Sequence, residues 1–206
     1  MIQVSPADTN LAASLTRILN SGDDREQLAQ YLAAALQRFG AAAAGGGGAA
    51  GSLTYGNFNA NSGNPPAANY ATFDTINSIP VLDFPNGSTN ATFFVSALPQ
   101  GAAFTNGLKV NIIWVSSVTT GSVSWGVAFE DTQAAAISSD HWLAQVTVSA
   151  AANGTANKPA ITSITVPLAN LGALAAESAF RLRVQRLTGD TLAGVAQLIA
   201  VTVEAA

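Results

Sequence analysis

Residues 108–129 read LKVNIIWVSSVTTGSVSWGVAF, and the fold turns on the spacing of the apolar side chains within them. Leu108, Val110, Ile112 and Trp114 recur at every second position, and so do Val123, Trp125, Val127 and Phe129. A period of two puts each set on one face of an extended chain, which predicts two half-buried β-strands. The SVTTG between them carries the small and turn-forming residues of a connection.

Outward from this pair the same punctuation repeats. Short apolar runs stand at IPVLDF (79–84), ATFFVSA (91–97), HWLAQVTVSA (141–150), AITSITVPL (160–168), FRLRVQRL (180–187) and GVAQLIAVTVE (194–204), each bounded by Gly, Asn or Pro. About eight strands in this arrangement predict a mainly β domain over residues 78–206, an antiparallel jelly-roll-like β-sandwich. PLANLGALAAESAF adds at most one helical turn. On FRLRVQRL, Phe180, Leu182 and Val184 share one face, and Arg181, Arg183 and Gln185 the other, which should meet water or an acidic partner. The last strand is apolar on both faces, Ile199, Val201 and Val203 against Leu198 and Ala200, so both its sides are expected to be covered.

Residues 1–40 follow a different period. Ser5 and Pro6 suit a helix start and Gly22 a stop, with Leu11, Leu15, Ile18 and Leu19 on one face. A second helix follows, from Asp23 or Asp24 to Gly40, with Leu28, Tyr31, Leu32, Ala35, Leu36 and Phe39 as its stripe. A hairpin of roughly 35 residues is too small to enclose its own core, so it reads as an anchor. Asp23, Asp24 and Glu26 at the start of its second helix would repel phosphate, against a DNA reader. AAAAGGGGAAG (41–51) and the Asn-, Gly- and Pro-rich chain to residue 77 read as a tether and extended arm. Its spaced aromatics Tyr55, Phe58, Tyr70 and Phe73 are expected to order along a partner surface.

Composition narrows the function classes. Charged residues make up 10% of the 206, against about 25% in ordinary soluble domains, while hydrophobic residues make up 49%. So little charge favours a subunit built into an assembly. A net charge of −4 with eight scattered cations leaves no footprint for nucleic acid. The longest apolar stretch, LAGVAQLIAVTVEAA, is too short and polar to span a bilayer, and MIQVSPADTN lacks the features of a signal peptide. Cysteine is absent, which removes disulfides and thiol catalysis.

The residues that carry chemistry elsewhere do not assemble into a motif here. His141 is the single histidine, and neither it nor the carboxylates Asp74, Asp83, Glu130, Asp131, Asp140 and Asp190 show the spacing of a triad, a metal cage or a glycosidase pair. GGGAAG (46–51) matches a dinucleotide loop by letter, but no strand precedes it and no capped helix follows. No catalytic residue, metal ligand or cofactor site is therefore expected. Trp114 and Trp125 are in phase with apolar faces and belong to a core. Trp142, two residues after Asp140, is the best candidate for an exposed recognition tip.

The order DF…ATFFVSALP…GLKVNIIW…GSVSWGVAFE…FRLRVQRL followed by an apolar last strand resembles small structural proteins of tailed bacteriophages, over residues 78–204. The resemblance implies a jelly-roll-like β module in a virion, commonly trimeric, and no catalytic residue. The reading it favours is a capsid decoration (cement) protein that bridges capsomers, bound to the major capsid protein or other virion proteins. Leu11, Leu15, Leu28, Tyr31, Leu32, Phe39, Tyr55, Phe58, Tyr70 and Phe73 would make the anchoring contacts. A receptor- or carbohydrate-binding fibre or appendage, using Trp142, Asp140 and Tyr70, is the alternative, and a small hydrolase the third.

Overall fold

The structure, a computed structural model, describes residues 53–134 and 138–206, and the chain divides into two units, Met1–Gly51 and Ser52–Ala206. Leu11, Leu15, Leu28, Tyr31, Leu32, Phe39 and the Ala/Gly tract lie outside the described residues.

Ten strands form in order: β1 (Thr54–Asn59), β2 (Thr72–Ile76), β3 (Ile79–Phe84), β4 (Asn90–Ala97), β5 (Leu108–Val115), β6 (Ser122–Asp131), β7 (Val146–Ala151), β8 (Ala160–Val166), β9 (Ala179–Arg186) and β10 (Ala196–Ala205). Single 3₁₀ turns stand at Ala60–Ser62 and Leu168–Asn170, the second within the segment read as holding a helical turn. One sheet runs β2-β3-β10-β5-β8, with β1 also on β10, and the other runs β4-β9-β6-β7. Every pairing between named strands is antiparallel. From β3 to β6 the chain crosses between sheets at each step, and again at β8, β9 and β10, which makes the sandwich jelly-roll-like.

The period-two sets of β5 and β6 meet across the sandwich. Leu108, Val110, Ile112 and Trp114 from one sheet and Val123, Trp125, Val127 and Phe129 from the other are all buried. Trp114 and Trp125 contact edge to face at 6.0 Å, and Phe84 meets Trp125 at 5.1 Å. The Trp114 indole N–H donates to Thr162 Oγ1 at 2.9 Å.

Two expectations are corrected. Tyr55 and Phe58 do not lie along a tether. They sit on β1 in the core, Phe58 stacked on Phe94 at 5.0 Å and the Tyr55 hydroxyl donating to the Ala103 carbonyl at 2.7 Å. The sandwich therefore begins at β1 and not at residue 78. The final strand does not present two continuous apolar faces. A register shift between Leu198 and Ala200 places Ile199 in a bulge, so Leu198 and Val201, three apart, point the same way into the core. Ile199 instead lines a shallow hollow with Ile76, Ile79, Val81 and Val115.

Candidate functional site

Two surfaces gather exposed aromatic and polar side chains. The first is a cleft of about 300 Å³ lined by Ala60, Asn61, Gly63, Pro65, Tyr70, Ala71, Thr72, Phe73, Leu82 and Thr92. Its lining combines β2 and β3 of one sheet with β4 of the other, so it opens at the side of the sandwich where the sheets part. The chain from 60 to 71 closes around it. Asn59 and Ser62 cap the first 3₁₀ turn reciprocally, and Asn64 exchanges backbone hydrogen bonds with Phe93 at 2.8 and 2.9 Å. Asn90 Nδ2 donates to the Tyr70 carbonyl at 3.0 Å, which fixes the backbone that carries Tyr70. The floor is apolar (Ala60, Ala71 and Leu82), and Tyr70 and Phe73 remain 48% and 59% exposed. Aromatic rings this open on a cleft are surfaces the fold itself does not use.

The second surface is the outer face of the four-stranded sheet. Register places Phe93, Arg183 and Ala128 in one row and Val95, Arg181 and Glu130 in the next. The segment leading into β7 lies across these rows, held by the Leu143 N–H on the Phe129 carbonyl at 2.9 Å. It sets Trp142 over both arginines, 4.8 Å from the Arg181 guanidinium and 4.9 Å from that of Arg183, with Phe93 at 5.0 Å from its ring. Trp142 is therefore half-buried and not the exposed tip expected of it, and it precedes β7 instead of lying on it. His141 is likewise outside β7. Its backbone N–H donates to Glu130 Oε1 at 2.6 Å, and its Nε2 lies 2.9 Å from Ser139 Oγ on an exposed turn.

Electrostatics divide the two arginines. Arg181 bonds both Glu130 and, at 2.6 Å, Asp140. Burial works to lower the Arg181 pKa, but the hydrogen bonds and charges of Asp140 and Glu130 together outweigh it and raise the net value. The Arg181 hydrogen bond in turn holds the Asp140 carboxyl below its ordinary range. Thus Arg181 meets acids of its own chain. Among the described residues Arg183 has no carboxylate in bonding range. It donates to Gln145 Oε1 at 3.3 Å, its Nε is buried without an acceptor, and burial lowers its pKa.

Of the remaining acids, Asp74 on β2 and Asp131 at the end of β6 each accept a nearby backbone N–H, and Asp83 accepts from Gln197 Nε2 at 2.9 Å while burial and the neighbouring Asp74 charge raise its pKa. Asp190 pairs with Arg186. Among the described residues no group of three or more His, Cys, Asp or Glu is arranged to hold a metal ion, and no helix is long and apolar enough to cross a membrane. Of the residues singled out from sequence, Tyr70 and Phe73 meet at the cleft, and Trp142 and Asp140 meet at the arginine face. Phe93, Arg183 and Gln145 were not named as site residues. The period-two phase of FRLRVQRL already put Arg183 on the outer face, but nothing local told that Trp142 would fold over it.

No family model matches the chain, and no curated protein does. Among solved structures it is similar to a family 35 carbohydrate-binding module from an environmental isolate, at 14% identity over 72% of this chain and 91% of that one, TM-score 0.46. It is also similar to the xylan-binding module CBM15, at 14% identity over 76% and 98%, TM-score 0.44. An exo-β-1,3-galactanase from Phanerochaete chrysosporium matches at 10% identity and TM-score 0.42 over 72% of this chain, which spans 29% of that enzyme's length. At these values the likeness stops at the general layout of a β-sandwich, and function is argued from the site.

Proposed function

We propose that the chain is a non-enzymatic ligand-binding module, a receptor- or carbohydrate-binding head-fibre or tail-appendage protein of a virion. The observation that carries this is the open-sided cleft with Tyr70 and Phe73 on its rim and Asn61 and Thr72 beside them. Ring faces pack against the C–H face of a sugar, and the neighbouring polar side chains take its hydroxyls. The arrangement of acids favours binding over hydrolysis. Glu130 and Asp140 converge on Arg181, and a general acid requires a carboxyl with a raised pKa where Asp140 has a lowered one; Asp83, whose pKa burial raises, is bonded to Gln197. The virion assignment rests on the resemblance of residues 78–204 to tailed-phage structural modules.

A glycan array probed with the full chain tests the reading. Binding to at least one glycan is expected, and Tyr70→Ala with Phe73→Ala should weaken it by roughly tenfold or more, the worth of about 1.4 kcal/mol or greater. Both side chains are largely exposed, so the melting temperature should hold. An array with no binder overturns the reading.

A second reading, a capsid decoration protein assembled as a trimer on the head lattice, is favoured by a different observation. Ile161, Val95 and Ile79 stand exposed on sheet surfaces in a chain with few charges to mask them. Imaging of an intact particle separates the two: density between capsomers supports decoration, and density at a fibre or tail tip supports the ligand-binding module.

A further inference from the structure

The described cations differ in one respect that the fold does not explain. Lys109 pairs with Glu204 at 2.8 Å, Arg181 with two acids, and Arg186 with Asp190 at 2.7 Å. Lys158 lies in a turn between β7 and β8, whereas Arg183 sits mid-strand at the centre of a sheet face. Among the described residues its one hydrogen bond is a long one to a neutral amide, and its buried Nε has no acceptor. A half-buried guanidinium with unused donors is costly to maintain, and the cost is recovered when an anion arrives. The groups facing it define that anion's surroundings. Glu130 and Asp140 are both bonded to Arg181, and Gln145 and Gln185 present amides that bond each other at 2.5 Å. Phe93 and Trp142 provide adjoining rings.

We propose that this ledge, Arg183 with Trp142, Phe93 and Gln145, binds the carboxylate of an acidic sugar. The inference rests on the reading of the chain as a glycan-binding module, and it assigns that module a second site and a ligand class. The carboxylate binds end-on across Nη1 and Nη2, replacing the weak bond to Gln145 with a charge-assisted pair. The sugar ring lies toward Trp142, and the Gln145 and Gln185 amides take hydroxyls. Binding is non-covalent and no bond is made or broken.

Trp114 and Trp125 are buried and Trp142 is not, so ligand-induced change in tryptophan fluorescence reports on the ledge. The full chain would be titrated with an oligogalacturonate and with the neutral galacto-oligosaccharide of equal length, in the wild type and in Arg183→Gln, Gln145→Glu and Tyr70→Ala. The acidic oligomer is expected to bind roughly tenfold or more tightly than the neutral one, and more weakly as salt is raised. Arg183→Gln should erase that preference. Gln145→Glu should do the same with the fold kept, by supplying Arg183 with a carboxylate from the chain itself. Tyr70→Ala should leave the preference intact. Equal affinity for both oligomers, unchanged in Arg183→Gln and Gln145→Glu, overturns the acidic-sugar site and leaves the glycan-binding reading standing. Acidic binding that Tyr70→Ala abolishes and the two ledge variants do not assigns the site to the cleft and overturns the ledge. No binding of either oligomer overturns this proposal, and an empty glycan array beside it overturns the broader reading.

Discussion

Arg183 and Arg186 lie three residues apart on β9, point to opposite faces, and have opposite surroundings. Arg186 continues the buried row of Phe180, Leu182 and Val184, and is 1% exposed. Its guanidinium is fully used: Nε and Nη2 bond the Asp190 carboxylate at 2.8 and 2.7 Å, Nη1 bonds the Phe84 and Gly194 carbonyls, and Nη2 bonds that of Leu192. One side chain thereby ties β3, β9 and the turn before β10 together. Arg186→Ala leaves three carbonyls and a carboxylate without their donor, and is expected to lower the unfolding free energy by about 3–5 kcal/mol, read from the urea midpoint. Burial works to raise the Asp190 pKa, but the hydrogen bonds from Arg186, Ser124 and Leu192 and the Arg186 charge together outweigh it and the net shift is downward. Because the folded value lies below the unfolded one, about 3.9, the pair's stability is complete above the unfolded value and is lost as pH falls through the folded one. Stability measured from pH 7 down to pH 3 should therefore fall less steeply in Asp190→Asn than in the wild type; equal slopes would show that Asp190 titrates alike in both states. The sequence held the signal for Arg186, since the alternation that buries Val184 also points Arg186 inward. Its partner was not legible, because Asp190 reaches back from a turn that follows the strand.

At the level of elements, what was legible is what kept its period. β5, β6 and β9 alternate without interruption, and the structure buries the face that the alternation marks. Three elements were misread or missed: β2, a short strand in regular register with β3, and β1 and β10, whose bulges both lie in pairings with β10. In β1 the register shifts between Thr54 and Gly56, so Tyr55 and Phe58 enter the core three residues apart. In β10 the shift at Ile199 does the same to Leu198 and Val201. A spacing of three is not a strand signal, and in TYGNFN the glycine and asparagines strengthened the impression of loop. The extra residue in each strand raises local twist, which suits a strand that shares one edge with both β3 and β1. If β1 is an integral strand, Phe58→Ala removes a ring stacked at 5.0 Å on Phe94 and should cost about 3–5 kcal/mol. Were Tyr55 and Phe58 carried on a tether, the same change would leave the denaturation midpoint where it is.

The whole molecule is held by contacts that join distant parts of the sequence. The last strand bonds β1, β3 and β5, so the sheet closes only when the final residues return to the start of the domain. The two candidate surfaces depend on that closure in different ways. The arginine face is built on β4, β9 and β6 with the segment before β7, all within the region whose strands the alternation identified. The cleft requires residues 60–73, which the sequence assigned to an arm, and so its walls were named (Tyr70 and Phe73) while its existence was not foreseen. This asymmetry gives a test of domain organisation. A chain of residues 52–206 retains every strand described and should unfold cooperatively at the midpoint of the full chain. A chain of residues 78–206, the boundary that the strand pattern favoured, lacks β1 and β2. It uncovers the β1 edge of β10 and removes the cover that Tyr55, Phe58, Ala60 and Ala71 give the core. Losing two core aromatics, at about 3–5 kcal/mol each, is comparable with the net stability of a typical domain, about 5–15 kcal/mol, so this fragment should lack cooperative unfolding and bind hydrophobic dye. A cooperative transition in the shorter fragment, near that of residues 52–206, would return residues 52–77 to the role of an arm laid on a domain complete without it.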